Sequence, residues 1–460
     1  MIRKYLCTLL LVCAASIIYA DIALAAIKTD YGAAIRLRQE YWEKIIDLQT
    51  LGMPARDFFR LRTSLWGKVD VEDNFGVYLK LTNEAKYYLG SFTPFTASDV
   101  GSQKDERFDV DELIIDNLFV DAKKIFGMPV DLRIGRQDFL GQYGEGFLIM
   151  DGTPYDGSRT FYFNAVKATW KMTADNSLDL IYISNPIKDE YLPSLTPSRS
   201  YLLSGYINDK RQLNISDETG FVAYWKSKLN NNFSVEPYYI YKEEGAFGTT
   251  PKLKLNTFGA RAVVTAANWK VRAEYAHQFG DYDNDRDRTG NGGYIFAGQS
   301  FANAFMKPQW EIGYVYLSGD DPSTTKHEGW DPLFSRCPSW NEIYIYTMIL
   351  ESIRDGGAVP GYWTNLHLYK AAVKMTLTPT TGLSLSYQYL KADQATSGLS
   401  AAMFSNSSKE RGHIGTLMLT HAFAKTIDGF LQLEYFSPGD FYKSNAQNAV
   451  FARWQLQFKF

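Results

Sequence analysis

The sequence predicts an all-β chain that forms a transmembrane up-and-down antiparallel β-barrel of about 18 strands, with short periplasmic turns and long extracellular loops. Three observations lead to this fold class. Apolar and polar residues alternate along many short segments, with the period of two that is typical of a strand with two different faces. Short turns and long polar loops alternate between these segments. The N-terminus has the features of a secretion signal.

The N-terminal segment has the three parts of a cleavable signal. Arg3 and Lys4 form a short basic start, an apolar stretch follows, and the segment 23–25 (Ala-Leu-Ala) offers small residues for signal peptidase. The apolar stretch is short for a membrane-spanning helix. We therefore expect residues 1–25 to be a signal peptide and residues 26–460 to form a single outer-membrane barrel domain.

Composition restricts the remaining classes of protein. Removal of the signal leaves Cys337 as the only cysteine, so no disulfide can form within one chain. The balance of charges is slightly acidic and gives no indication of a nucleic-acid partner. The chain has 31 Tyr, 29 Phe and 10 Trp although its mean hydropathy is negative. After the signal, no apolar segment is long enough to be a transmembrane helix.

The alternation predicts eighteen strands. Their approximate ranges are 33–43, 58–69, 75–87, 112–121, 130–138, 161–172, 177–185, 219–229, 234–243, 256–266, 269–279, 294–305, 308–318, 364–377, 382–391, 411–422, 427–436 and 449–460. The last strand, AVFARWQLQFKF, has Trp454, Leu456 and Phe458 on one face and Arg453 and Gln455 on the other. In a closed barrel this strand pairs with the first, and its apolar face contacts lipid.

The lengths of the connections indicate the orientation. Short turns follow the even-numbered predicted strands, as in DVEDN from Asp70 and LNNN from Leu229. Long connections follow odd-numbered strands, at 88–111, 139–160, 186–218, 280–293, 319–363 and 392–410. Outer-membrane barrels sort their connections in this way, whereas a soluble sandwich or propeller has no reason to do so. We therefore expect the protein in the bacterial outer membrane.

The face of each strand that points inward carries an excess of basic residues. Counted over the strands with a clear register, 20 Lys and Arg but only eight Asp and Glu fall on this face. Rings of cations in a pore attract anions, and a guanidinium binds both oxygens of a carboxylate. Some of these charges pair with the acids or lie in water at strand ends. The candidate pore-lining residues are Arg36, Arg38, Arg60, Arg62, Arg133, Lys167, Arg261, Arg272, Lys370 and Arg453.

Several stretches of the sequence resemble the alginate-export family of bacterial outer-membrane porins. The longest is YLSGDDPSTTKHEGWDPLFSRCPSWNEIYIY, which starts at Tyr316. Shorter ones are MPVDLRIGRQDF from Met128, LIMDGTPYDGSRT from Leu148, and LEYFSPGDFY from Leu433, with FARWQLQFKF after it. The resemblance implies a monomeric barrel of eighteen strands that passes an anionic polysaccharide through an arginine-rich constriction.

Within the matching stretches, the resemblance adds Arg136 and Arg159 to Arg133 as candidates for that constriction. Arg133 and Arg136 are an odd number of positions apart, so only one can face the lumen unless the strand contains a bulge. Eighteen strands enclose a water-filled channel. The segment 319–363 is long enough to fold inward and narrow it.

Two groups of acidic residues have a functional and a simpler interpretation. Asp320 and Asp321 could bind arginines of the lumen and hold the longest loop as a gate, but Asp-Asp-Pro is also typical of a turn. Asp281, Asp283 and Asp285 alternate as calcium ligands do. The glycine and the distal glutamate of a calcium loop are missing, which favours a solvated exterior loop and no metal site.

The sequence therefore predicts an anion-selective outer-membrane porin without a cofactor. Its expected partners are the lipid bilayer and an anionic solute, with an alginate-like acidic polysaccharide or oligosaccharide as one candidate. The five histidines lack metal-ligand spacing and no Gly-x-Ser-x-Gly motif occurs, so we do not expect an enzyme. A plugged barrel that acts as an adhesin or structural protein, and an outer-membrane hydrolase, remain alternatives. The sequence leaves open the direction of transport and any periplasmic export partner.

Overall fold

The computed structural model describes residues 27–89, 108–151, 163–193, 195, 206–207, 210–211, 213–214, 216–335, 341–344, 364–395, 399 and 401–460. The predicted signal peptide, Arg159 and Cys337 lie outside these ranges. Among the described residues, no helix has both the length and the apolar character needed to cross a membrane.

Eighteen antiparallel strands form one closed sheet, which confirms the predicted fold class. Their bounds are β1 (Ile27–Glu43), β2 (Arg56–Val71), β3 (Phe75–Tyr88), β4 (Phe108–Ala122), β5 (Val130–Gln137), β6 (Phe163–Lys171), β7 (Asn176–Asn185), β10 (Glu218–Asn230), β11 (Phe233–Glu244), β12 (Leu253–Ala266), β13 (Trp269–Tyr282), β14 (Asp287–Ser300), β15 (Gln309–Leu317), β16 (Leu366–Thr378), β17 (Thr381–Lys391), β18 (Glu410–Ala424), β19 (Ile427–Pro438) and β20 (Ala449–Lys459). The two-residue strands β8 (Tyr206–Ile207) and β9 (Lys210–Arg211) form a separate pair between β7 and β10.

The first and last strands close the barrel. β1 pairs with β20 from Ala34 opposite Lys459 to Glu43 opposite Val450. Beyond this ladder, the backbone N–H of Phe460 donates to the carbonyl of Ala33 at 2.8 Å. Closure supplies hydrogen-bond partners to both edges of the sheet, which hydrocarbon could not do.

The two faces of each strand differ as the alternation predicts. On β2, the apolar side chains of Leu61, Leu65 and Val69 are exposed on the outside of the barrel, and Leu65 is 55% exposed. Arg60 and Arg62 flank Leu61 in the sequence and are only 6% exposed. The outer wall is therefore suited to lipid, and the basic residues are directed into the lumen.

Most connections sort by length on the two ends of the barrel, apart from those after β11 and β13, which have eight and four residues. Those after β2, β4, β6, β10, β12, β14, β16 and β18 contain two to eight residues. The prediction of a long loop at 280–293 is wrong. β13 continues to Tyr282 and β14 begins at Asp287, so a turn of four residues connects them. Strand ends that project beyond the membrane have water on both sides, so they need no apolar face, and the polar sequence resembles a loop.

Strand β4 contains two irregularities that explain why its faces could not be assigned from the sequence. Its register against β3 shifts between Lys80 and Leu81 and again between Glu84 and Ala85. At the first shift Lys80 pairs with Asn117 and Leu81 with Ile115, so that Asp116 is an extra residue. A bulge of this kind reverses the alternation beyond it.

We expect Leu65→Arg to lower the free energy of unfolding by about 2–4 kcal/mol, the cost of a cation on the lipid face of a barrel near the midplane. Leu65→Ile is the matched control and should change this free energy by less than about 1.5 kcal/mol, since it keeps apolar volume. Urea unfolding of the protein in lipid vesicles measures both. Equal effects of the two substitutions would show that this face does not contact lipid.

Candidate functional site: the lumen of the barrel

The most basic part of the lumen lies on β20, β1 and β2. Here Arg36 is directly opposite Arg62, and Arg38 is directly opposite Arg60. Together with Arg453 on β20 we call these residues the arginine row. Like charges opposite each other on neighbouring strands destabilise a sheet unless acids compensate them. All five side chains are less than one-tenth exposed, so their compensation has to come from groups within the barrel.

Glu40 is the carboxylate that joins three strands of the arginine row. Its Oε1 lies 3.2 Å from Nη1 of Arg38, 3.5 Å from Nε of Arg60 and 3.1 Å from Nη2 of Arg453. Its Oε2 accepts a hydrogen bond from the indole N–H of Trp42 at 3.0 Å. One fully buried acid thus holds three guanidinium groups together.

Two further acids lie deeper along the arginine row. Glu84 on β3 accepts a hydrogen bond from Arg36 at 3.4 Å. Asp116, the extra residue of the β4 bulge, lies 3.5 Å from Nη2 of Arg62 and 3.0 Å from Nζ of Lys80. The bulge places this carboxylate inside the lumen, and the sequence analysis missed it because the register of β4 was ambiguous.

Among the described contacts of this wall, seven basic side chains share four carboxylates. The basic residues are Arg36, Arg38, Arg60, Arg62, Lys80, Lys86 and Arg453, and the acids are Glu40, Glu84, Asp116 and Glu342. Three of the acids belong to the wall and Glu342 belongs to the connection after β15. In the described contacts, several basic side chains of this wall therefore share one carboxylate.

The wall formed by β6, β7 and β10 carries paired charges. Asp179 lies 3.5 Å from Nζ of Lys167 and 3.1 Å from Nζ of Lys226. Asp179 also accepts hydrogen bonds from Tyr143 at 2.9 Å and from Thr169. Two lysines and one carboxylate are thus embedded in a network of hydroxyl groups.

The remaining candidates on β12, β13 and β16 are also paired. Arg261 donates to both oxygens of Glu236 at 3.1 Å. Arg272 donates to Glu145 at 2.7 Å and to Glu311 at 2.9 Å, and the sequence analysis did not single out Glu145. Lys370 donates to Glu311 as well, at 3.1 Å. In the described contacts, these three cations thus share three acids.

Arg133 and Arg136 have different environments on β5. Arg133 donates to Asp121 on the neighbouring strand at 2.7 and 2.9 Å. Arg136 is 2% exposed and donates to Asp189, in the connection after β7, at 3.1 Å. Gly135 between them has a φ of 130°, which side-chain-bearing residues rarely adopt. The strand is therefore irregular where strict alternation would have separated the two arginines.

Two connections pack against the inner wall. The connection after β15 buries Trp330, Leu333 and Phe334 completely. A Cβ on Gly292 of β14 would come within 2.8 Å of the Trp330 ring, so the indole lies directly on the strand backbone. The backbone N–H of Phe334 donates to Ile149, in the connection after β5, at 2.9 Å. The two connections thus support each other and narrow the channel.

Asp331 anchors the connection after β15 to the wall. Its carboxylate accepts a hydrogen bond from Lys242 at 3.2 Å and lies 3.6 Å from Nη2 of Arg288. Lys242 also donates to the carbonyl of Leu333 at 2.7 Å. All these side chains are 2% exposed or less. Lys242 is 89 positions away from Asp331 in the sequence, so local pattern could not indicate this pair.

The predicted gate residues lie nearer the outer surface. Asp320 lies 3.4 Å from Arg286 and accepts the backbone N–H of Glu328 at 2.8 Å. Asp321 accepts the N–H and the hydroxyl of Ser323 at 2.9 and 2.7 Å, which is a turn, and these hydrogen bonds lower the pKa of Asp321. In the described contacts, the partner of Asp320 is Arg286 of the β13–β14 turn and not an arginine of the lumen.

The weak calcium candidates Asp281, Asp283 and Asp285 are exposed at the outer end of the β13–β14 hairpin. Asp283 lies 3.9 Å from Nζ of Lys254. Among the described residues, no group of three or more His, Cys, Asp or Glu side chains could hold a metal ion.

A closed barrel with an apolar outer wall, a charged inner wall and inward connections defines an outer-membrane channel. The alginate export family matches residues 28–455, and the chain belongs to this family. A comparison with curated proteins gives no match. Family and fold together place the protein in the outer membrane and confirm the expected location.

Solved structures with the same fold include OccAB4 of Acinetobacter baumannii, at 10% identity and a TM-score of 0.56, with 94% of this chain and 98% of that chain covered. OpdK of Pseudomonas aeruginosa, solved with vanillate, has 11% identity and a TM-score of 0.54 over the same shares. OccK8 (OprE) of P. aeruginosa has 12% identity, a TM-score of 0.51, and again 94% and 98% coverage. At these identities the likeness establishes the fold.

We expect Asp331→Asn to lower the free energy of unfolding by about 1–3 kcal/mol, because it removes a buried charged acceptor, although Lys242 keeps its contacts with Glu244 and Glu218. Asp321→Asn is a control in the exposed turn of the same connection and should change this free energy by no more than about 0.5 kcal/mol. Chemical unfolding in vesicles gives both values. A similar small effect of the two substitutions would show that Asp331 does not anchor the connection.

His327 gives a pH-dependent prediction. Burial, together with nearby Arg288 and Arg286, lowers its pKa to about 2. Asp320 lies 3.8 Å from Nδ1, but this nitrogen accepts the N–H of Gly329 at 3.3 Å, which requires the neutral ring. The unfolded imidazole has a pKa of about 6.5 and binds a proton below that pH, whereas the folded one does not. Stability therefore decreases as the pH falls below about 6.5.

Between pH 6.5 and 5, His327 should contribute a slope approaching 1.4 kcal/mol per pH unit to the opening of this connection. Hydrogen exchange of the amides at 327–330 measures that opening. His327→Gln should remove the slope, while His413→Gln, at a half-buried position on β18 away from this connection, should retain it. An unchanged slope in His327→Gln would assign the pH dependence to other groups.

Proposed function

We propose that this outer-membrane channel passes anionic solutes, and that an alginate-like acidic polysaccharide or oligosaccharide is among them. The arginine row is the observation that carries the proposal. Its guanidinium groups lie on three adjacent strands. They occupy successive positions along the lumen, from Arg36 through Arg38 to Arg453. A solute with several carboxylates can follow such a row from one guanidinium to the next.

The charge balance supports anions over cations. Among the described residues, seven basic side chains contact four carboxylates on the wall of the arginine row, and three cations contact three carboxylates on the wall of β12, β13 and β16. An excess of fixed positive charge in a narrow, partly desolvated passage raises the local concentration of anions. Guanidinium groups also bind carboxylates in two-point geometry, which favours uronate sugars over simple halides.

The comparisons point to the same class of solute. The family is described as alginate export, and alginate is a polymer of carboxylated sugars. The structure of OpdK contains vanillate, an aromatic carboxylate. A single chain closes the barrel by itself, which supports a monomeric channel with the lipid bilayer around it.

A plugged barrel is the second candidate, because the connection after β15 packs large apolar side chains against the inner wall. Trp330 and Phe334 are completely buried there. A barrel filled in this way could serve adhesion instead of transport. Single-channel recording distinguishes the two candidates, since a plugged barrel that is folded and inserted gives no current. A hydrolase would instead convert a polysaccharide at a rate that does not depend on conductance.

We expect the double substitution Arg36→Gln and Arg62→Gln to reduce the preference for anions. A unit charge about 4 Å from an ion is worth about 1 kcal/mol in water, so each lost charge should lower the permeability of an anion roughly fivefold and the permeability ratio of anion to cation by at least that factor. The reversal potential in a planar bilayer under a salt gradient measures the ratio. Lys459→Gln, 53% exposed at the end of β20, is the control and should leave it unchanged.

An open channel whose anion preference survives the double substitution would rule out the arginine row as the selective element. Absence of current from the inserted wild-type protein would favour the plugged barrel. The folding of each variant is checked first. A folded barrel resists unfolding in detergent until the sample is heated.

A further inference from the structure

Arg453 holds two carboxylates of different origin. Glu40 belongs to the neighbouring strand β1 and lies 3.1 Å from Nη2. Glu342 belongs to the connection after β15, and Arg453 donates to its Oε1 from Nη1 at 2.7 Å and to its Oε2 from Nη2 at 3.2 Å. The contact with Glu342 is therefore the two-point geometry in which a guanidinium would bind a free carboxylate.

The segment 341–344 is fixed to the wall by contacts that do not involve the Glu342 side chain. The carboxylate of Glu434 on β19 accepts the backbone N–H groups of Glu342 and Ile343, at 2.8 and 2.9 Å. The side chain of Asn341 donates to Gln388 on β17 at 2.7 Å and accepts the N–H of Tyr344 at 2.8 Å. The backbone can thus stay in place while the side chain of Glu342 changes its partner.

Arg453 occupies one end of the arginine row. It is opposite Glu40 on β1, whereas Arg38 and Arg36 are opposite Gln455 and Gln457, successively nearer the end with short turns. Glu342 is consequently seated at the end of the row that faces the long connections. A solute that follows the row meets this carboxylate at the external end.

We infer that Glu342 is a built-in competitor, which occupies the outermost guanidinium of the arginine row and makes the channel select polymeric over monomeric carboxylates. The inference rests on the proposed function and adds a determinant of specificity to it. Binding of a solute carboxylate to Arg453 requires the Glu342 side chain to leave. The exchange replaces one ion pair with another, so the net gain in binding free energy is small for a single carboxylate.

The advantage of a polymer follows from multivalency. A tethered carboxylate competes at an effective concentration of the millimolar order or higher, so a dilute monomeric uronate cannot displace it. A uronate oligomer that is already bound to Arg36, Arg38, Arg60 or Arg62 presents its next carboxylate to Arg453 within the same complex. Linked contacts of this kind increase apparent affinity by about 10²- to 10⁴-fold without a new type of interaction.

The test measures current block in a planar bilayer by galacturonate and by its linear hexamer. For the wild-type channel, we expect the hexamer to block at a concentration at least about 100-fold lower than the monomer. Glu342→Gln should lower the half-blocking concentration of the monomer roughly tenfold and that of the hexamer much less, so the ratio of the two should shrink. Glu328→Gln, on the same connection but bonded to Thr324, should leave the ratio unchanged.

A second substitution keeps the test informative if Glu342→Gln folds poorly. Arg453→Gln removes the guanidinium that Glu342 occupies, so the hexamer loses one of its linked contacts and the ratio of the two half-blocking concentrations should shrink. An unchanged ratio of block in both Glu342→Gln and Arg453→Gln would overturn the inference while the anion preference of the wild type still stands. A wild-type channel that neither prefers anions nor is blocked by the hexamer would overturn the proposed function, and the inference with it.

Discussion

The structure depends on one constraint, which is that every backbone N–H and C=O inside a bilayer needs a partner within the protein. The closed sheet meets this need through the pairing of β1 with β20. Closure forces each strand to present one face to lipid and the other to an enclosed space. Eighteen strands make that space too wide for wall side chains to fill, so the connections after β5 and β15 can enter it.

Within that space, the charges of the wall are arranged by compensation. Opposed pairs such as Arg36 with Arg62 would repel each other on an open sheet, but Glu84 contacts Arg36 and Asp116 contacts Arg62. Buried ion pairs contribute little net stability, because desolvation offsets their attraction. The role of these ion pairs is to hold the cations at defined positions. In the described contacts, the acids that do so are fewer than the cations they hold.

The sequence was sufficient for the parts of the fold that depend on alternation, and insufficient where alternation fails. Each of the predicted strands corresponds to one barrel strand, and the faces of Arg60 and Leu61 follow from their parity. Asp116 could not be placed because a bulge changes the parity of β4. The contacts of Arg453 with Glu342 and of Lys242 with Asp331 could not be found either, because the path of a long connection decides which distant residues meet, and no period in the sequence encodes that path.

The three arginines around Glu40 come from β20, β1 and β2, so this carboxylate bridges the seam between the two ends of the chain. The seam is the pairing with the largest sequence separation and therefore carries the greatest loop-closure entropy during folding. In a barrel that has inserted but in which β1 and β20 have not yet paired, Arg453 does not lie beside Glu40. Closure of the barrel and completion of the arginine row are therefore one event, because the same pairing of β1 with β20 brings Arg453 to Glu40.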